Sequence, residues 1–344
     1  MKKVIYIIIF ALITIGGVGG IYFYKIFYES NTLFNDEHVF IKIPTNSTEN
    51  QLLDSLGKHV KDLSKFSKAA NYKDYFLNIK PGRYKLENGF NNNQIINSLR
   101  SNNVPIKITY NNIETFDQLI KRISERIEAD SLSLSNVFNE KKFLNDLGLN
   151  SESVFSLFIP NTYEFFWNTS AIQFRERILK EFDRFWNDSR IEKSKKLNLN
   201  PIEVMTLASI VQKETPKVDE RPTIAGVYLN RLERNMKLQA DPTVVYTIKK
   251  RDGFDTKIRR VLYKDLRIKS PYNTYVYRGL PPAPIVTPDI SAIEAVLNPQ
   301  KHSFIYFVAD VSNPGYHLFS RTNAEHNRKK RQYTNWLKKN RIRR

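Results

Sequence analysis

Hydrophobic and polar positions along this chain change period repeatedly, and each change marks an element. The first run, VIYIIIFALITIGGVGGIYFY from Val4 to Tyr24, contains no charge and has the roughly 20-residue length of a membrane-spanning helix. Aromatic and basic residues (Tyr22, Phe23, Tyr24, Lys25) close it where a signal peptide would carry a small-residue cleavage site, which favours a retained anchor. Under the positive-inside rule Lys2 and Lys3 stay cytoplasmic and everything past Lys25 lies outside. Gly16 and Gly20 form a GxxxG pair that could pack two such helices, although glycine is frequent in such spans anyway.

Residues 25 to 37 read as a polar connector. Alternation in Val39–Pro44 then predicts a strand. Thr48 and Gln51 form a capping box opening a helix through Leu52, Leu53 and Leu56. A second amphipathic stretch covers residues 62 to 76, a turn at Pro81-Gly82 starts another strand, and a short helix runs through Ile95, Ile96 and Leu99. The result is a small α+β module. Alternation restarts in VPIKITY, after which Thr115 and Gln118 cap a helix carrying Phe116, Leu119, Ile120, Ile123 and Ile127. The aromatic stretch Leu157–Trp167 reads as extended, and Ser170 with Gln173 caps a long helix through Ile178, Phe182 and Trp186.

Asn200, Pro201 and Glu203 are a well-signalled helix start. Val204, Leu207, Ala208 and Val211 recur at helical spacing, an amphipathic inward stripe. Pro216 disfavours helical geometry at Thr215, so this helix ends near Glu214. Asp219-Glu220 opens the next, with Ile224, Val227, Tyr228 and Leu232 on one face. After Met236 the pattern is loop-rich: LQADPTVVY, SPYNTY, GLPPAPIVTP. Phe304–Asp310 reads as a buried strand, and a terminal helix follows. The fold class is α+β, without an internal repeat.

Composition narrows the chemistry. The 344 residues suffice for two or three domains. With no cysteine, disulfides, thiolate zinc sites and cysteine nucleophiles are excluded. Five scattered histidines without HExxH spacing give no support for a metal site. The net charge of +19 points to an anionic partner: nucleic acid, lipid head groups or an acidic wall polymer. Nine Lys or Arg residues follow Asn327 without an acid. An anchored, exported chain rarely meets nucleic acid, and no RNP, helix-turn-helix or zinc-finger pattern occurs. The tail therefore reads as a solvated helix on which Tyr333, Trp336 and Leu337 pack down, with attraction to a membrane surface or wall polymer as a secondary effect.

Glu214 is the outstanding candidate for chemistry. It ends an apolar stripe at a helix C-terminus, where burial and the helix dipole both disfavour its charge. A carboxyl that keeps its proton near neutral pH is what a general acid in glycosidic cleavage requires. The plainer reading turns Glu214 outward, or pairs it with Arg221 or Arg231. Asp241 and Glu220 are possible second carboxylates, although an Asp before Pro is usually turn chemistry. No GxSxG elbow, P-loop or dinucleotide fingerprint competes.

Read together, LASIVQKET (207–215), ERPTIAGVYLNRL (220–232), LQADPTVVY (238–246), SPYNTY (270–275), GLPPAPIVTP (279–288), YFVAD (306–310) and the segment holding His317, Phe319, His326 and Asn327 resemble the endolytic murein transglycosylases of the MltG (YceG-like) type. The resemblance implies a single-pass inner-membrane enzyme: cytoplasmic residues 1–3, transmembrane helix 4–24, linker 25–37, a LysM-like module 38–103, and a YceG-like catalytic domain 104–344 facing the wall. It places the catalytic acid on Glu214. It further implies peptidoglycan glycan strands as substrate, no cofactor, and peptidoglycan synthases as candidate neighbours. Gln239, Asp241, Asn273, Tyr275 and Asn230 are the expected substrate-binding or Glu214-orienting residues, with a structural brace equally open for Asn230. The chain departs from the family at Gln212, usually Glu, at Ala283, usually Gly, and in LFIPNTYEF, which lacks a Glu-Gly. Two rivals stand beside this: a lysozyme-like hydrolase pairing Glu214 with Asp241, and a non-catalytic wall-binding scaffold.

Overall fold

The computed structural model describes residues 2–340. They divide into two compact units: one comprises the chain up to Ile108 with Ser124–Asp130 and Tyr163–Ser170, the other the rest. Elements are mixed α and β, and the six strands of the described residues form three separate two-stranded pairs.

In the first unit, α1 (Lys2–Phe27) is long and apolar enough to cross a membrane, and its residues 2 to 25 are exposed. The expected module follows as β1 (His38–Ile43), α2 (Glu49–Leu56), α3 (Leu63–Tyr72), β2 (Gly82–Glu87) and α4 (Asn92–Ser101). Both halves of the Thr48–Gln51 capping box form. β1 and β2 pair antiparallel with Ile41 opposite Tyr84, so alternate residues of both strands enter the core.

Residues 25 to 37 are not a free connector. Ile26 and Phe27 lie in the same core as Ile43, Leu52, Phe66 and Ile95. Asn92 donates to the Ile26 carbonyl (2.7 Å), and Asn31 donates to Asn92 (2.7 Å) and to the Asp62 carbonyl (2.9 Å). Buried polar groups must be satisfied, and here their partners stitch the segment to the module.

The chain continues through β3 (Ile106–Tyr110), α5 (Phe116–Ser124), α6 (Ser131–Phe138), α7 (Lys141–Asp146), β4 (Asn161–Phe165), α8 (Ala171–Phe185) and α9 (Asp188–Lys196). The core of the second unit gathers around α10 (Pro201–Glu214), packed by α11 (Arg221–Glu233), α12 (Asp241–Asp252) and α13 (Ile290–Leu297). β5 (Tyr306–Ala309) pairs antiparallel with β6 (His317–Ser320), and α14 (Asn323–Lys339) ends the described chain.

α10 starts as its sequence dictates: Asn200 accepts from the Glu203 amide (3.0 Å) and Glu203 returns a bond to the Asn200 amide (2.8 Å). It is not amphipathic, however. Every residue from Val204 to Val211 is buried, which is a central core helix rather than a surface one. Its hydroxyls tolerate this by bonding backbone: Thr206 donates to the Ile202 carbonyl, and Ser209 donates to Thr206 and accepts from the Ile285 amide.

Other expectations need correction. The supposed loop LQADPTVVY begins α12, because Pro242 falls in the first helical turn, where a missing amide costs nothing; Thr243, Val244, Thr247 and Ile248 then form its buried face. α13 and β6 carried no recognised signal. The strand expected over Phe304–Asp310 shrinks to the half-buried β5. α5 stops before Ile127. Leu337 is buried, but Trp336 is exposed.

Candidate active site

Glu214 is the last residue of α10, and Thr215 after it is extended, as the following proline demands. A cleft of about 290 Å³ opens there, lined by Glu114, Lys213, Glu214, Asp241, Tyr246 and Ile285 among others. Glu214 is half-buried because it borders the cleft. Oε1 accepts a 2.5 Å hydrogen bond from the hydroxyl of Tyr228 in α11. Oε2 has no partner among the described residues.

Burial pushes the Glu214 carboxyl up to about 7, against the Tyr228 hydrogen bond, which favours the charged form; nearby Asp241 pushes it further up and Arg231 pulls it down. The same burial, with the Glu214 charge beside it, drives the Tyr228 phenol well above its usual 10. Tyr228 is therefore a fixed donor. Neither arginine pairs with Glu214. Arg231 donates Nε to the Ile305 carbonyl (2.6 Å) and Nη1 to the Leu238 carbonyl (2.5 Å). Arg221 bonds Ser291 (2.6 Å) and lies 3.7 Å from Asp289.

Of the residues expected around Glu214, Asp241 and Tyr275 come to it. Asp241 opens α12, and its Oδ1 accepts the Tyr275 hydroxyl at 2.6 Å. Burial and that bond keep the Tyr275 phenol protonated far above its usual range, with the Glu214 charge adding to the effect. Asp241 is thus more than turn chemistry.

Asn273 has a different job. Fully buried, it donates to the Leu266 and Ile268 carbonyls (3.2 and 2.8 Å) and accepts from the Tyr275 amide (3.0 Å), so it braces the loop that carries Tyr275. Asn230 is likewise a brace, donating to the His302 and Phe304 carbonyls (2.8 and 2.9 Å). α11 is pressed close there: a Cβ on Gly226 would sit 2.6 Å from the Gln300 carbonyl. Gln239, at φ +50°, is exposed in a separate depression with Arg234, Lys237 and Arg278. Glu220 is taken by His317, whose amide and Nδ1 lie 2.7 and 2.9 Å from its two oxygens. Gln212 accepts the Asp289 amide through Oε1, a bond a carboxylate would equally make.

Sequence reasoning missed Tyr228, counted there only as an apolar ring. A buried tyrosine hydroxyl needs an acceptor, and that requirement was the available signal. It also missed Glu114, which bonds Lys249 (2.7 Å) and approaches Lys213 (3.5 Å) on the cleft wall; nothing local marks it. Together, these groups can hold one protonated carboxyl by one oxygen and present the other to a bound substrate.

Residues 41–332 match the YceG-like family. An endolytic murein transglycosylase of Bacillus subtilis is 30% identical over 315 residues, covering 86% of this chain and 84% of its own length. One from Streptococcus pneumoniae is 28% identical over 330 residues, 87% of this chain but 59% of the longer relative. The crystal structure of a yceG-like protein from Listeria monocytogenes superposes with a TM-score of 0.56 at 28% identity, over 86% of this chain and 99% of that one.

Proposed function

The chain belongs to the YceG-like family, and from that premise we propose that it is a membrane-anchored endolytic peptidoglycan lytic transglycosylase with Glu214 as its acid. The observation that carries this reading is a carboxyl raised to about 7 at a cleft, held on one oxygen by Tyr228 and free on the other.

Glu214 gives its proton to the oxygen linking C1 of N-acetylmuramic acid to the next N-acetylglucosamine, and that bond breaks. The substrate's acetamido group supports the positive C1. Glu214, now a carboxylate, takes the proton of the muramoyl C6 hydroxyl as its oxygen attacks C1, closing a 1,6-anhydro ring. The nucleophile is tethered already, so no second carboxylate is needed to activate water. Asp241 and Tyr275, locked to each other, are then positioned to bind sugar hydroxyls. α1 would anchor the enzyme with its N-terminus cytoplasmic and its catalytic domain outside, near synthases, where internal cuts end growing strands. Residues 38–103 would serve as a LysM-like glycan-binding module.

The test is digestion of uncross-linked glycan strands by the detergent-solubilised full chain, since Ile26 and Phe27 belong to a folded core. Internal fragments with 1,6-anhydromuramoyl ends, absent with Glu214→Gln, are expected. Reducing ends would make it a hydrolase; retained binding without cleavage would make it a scaffold.

A further inference from the structure

Between α12 and the segment bearing Tyr275, residues 253 to 270 form an irregular surface loop whose only helix is the single turn Asp265–Arg267. Its charge is strongly positive, six Lys or Arg against Asp255 and Asp265. Lys257, Arg259, Arg260, Lys264, Arg267 and Lys269 are all exposed, and none has an acidic partner among the described residues. The cations just before them differ: Lys249, Lys250 and Arg251 are paired with Glu114, Glu152 and Asp252. At the centre of the free cations stand two outward apolar side chains, Leu262 at 37% and Tyr263 at 86% exposure. The turn that presents them is fixed, because the Asp265 carboxylate accepts the Leu262 amide at 2.8 Å.

We infer that this loop docks on an anionic phospholipid surface, with Leu262 and Tyr263 entering the headgroup region and the six cations facing lipid phosphates. Two observations choose this occupant over a soluble polyanion. Unpaired cations serve either partner, but an ordered aromatic-aliphatic tip is useful only where an apolar phase lies beneath the charge, and tyrosine prefers that boundary. The chain also carries a helix fit to cross a membrane, so a bilayer is within its reach. The inference rests on the anchor reading given above. A second contact of this kind would hold the catalytic unit against the leaflet rather than at the end of its tether.

The chain has no cysteine, so Leu262→Cys gives a unique site for an environment-sensitive fluorophore, with Leu132→Cys, exposed elsewhere in the same unit, as its control. The full chain is reconstituted into vesicles of phosphatidylcholine with or without phosphatidylglycerol, containing nitroxide-labelled lipid. Flotation with neutral vesicles reports the anchor alone. Docking predicts a roughly twofold or greater quenching at residue 262 in anionic vesicles only, none at residue 132, and reversal by about 0.5 M salt. Substituting Lys257, Arg259, Arg260 and Lys264 by Glu should abolish it while glycan cleavage persists. Failure to float would sink the anchor reading. Flotation with no quenching at residue 262, or equal quenching at both labels, overturns the docking. So does a response to soluble polyglycerolphosphate without lipid quenching, which would make the partner a wall polymer.

Discussion

Glu214 and Glu220 stand on either side of one turn, at the end of α10 and the start of α11, the first half-buried and the second buried. They are equipped for opposite tasks. Glu220 has both oxygens committed to His317, so it joins β6 to α11 and offers nothing to a substrate. Glu214 has one oxygen committed, to a phenol, and its other oxygen faces a cleft. Burial alone does not make an acid; the number of donors around the carboxyl decides whether it becomes a joint or a reagent.

The largest effect should come from Glu214→Gln, which keeps the acceptor for Tyr228 but removes the proton. Cleavage should fall by about 10³-fold or more. Wild-type activity should fall as pH rises through about 7, because the acid form is the active one. Stability gives an independent check. The folded carboxyl sits at about 7 against 4.5 unfolded. Below 4.5 both states hold the proton and nothing is lost; from 4.5 to 7 the unfolded chain releases it first, and stability declines. Glu214→Gln should therefore be more stable than wild type at pH 8, by up to about 3 kcal/mol, and no more stable at pH 4. Equal stability at pH 8 would mean that the fold does not raise the carboxyl above its unfolded value.

Glu220→Gln should show the reverse pattern. Replacing a buried, doubly bonded carboxylate should cost about 2 kcal/mol, seen as a lower melting temperature, with cleavage per folded molecule unchanged. A loss of activity without loss of stability would erase the distinction between the two glutamates.

Tyr228→Phe tests what holds the reagent. Losing the donor should lower kcat about tenfold and move the alkaline limb of the pH profile upward, since the bond favours the ionised form. A slower enzyme with an unmoved limb would reduce Tyr228 to packing. The smallest effect expected is that of Tyr275→Phe, which frees Asp241: a rise in KM of a few-fold with little change in kcat.

Much of α10 was legible because its determinants are local: an Asn-Pro-x-Glu start, an apolar run, and a proline to stop it at Glu214. α12 was not, because Pro242 signals a turn and a helix start alike, and only the buried face behind it settles which. Asp241 stood in the sequence as a candidate that, for want of its partner Tyr275, could not be distinguished from a turn residue. Asn273 read as a residue that binds sugar or orients Glu214, and Asn230 equally as that or as a brace, because amides suit both sugars and backbone carbonyls, and which they meet is a long-range matter. Tyr228 reaches Glu214, and Glu114 the cleft wall, from other elements, which no spacing within one segment reveals.

The joint between α1 and its module has a mechanical consequence. With Ile26 and Phe27 cast into the core and the Ile26 carbonyl tied to Asn92, the helix is a shaft fixed in the block it carries, without a swivel. Any tilt or rotation of α1 is then passed on as torque. Adding a single residue inside its exposed stretch would turn the module by about 100° and lift it about 1.5 Å, a change that a loosely tethered domain would not feel.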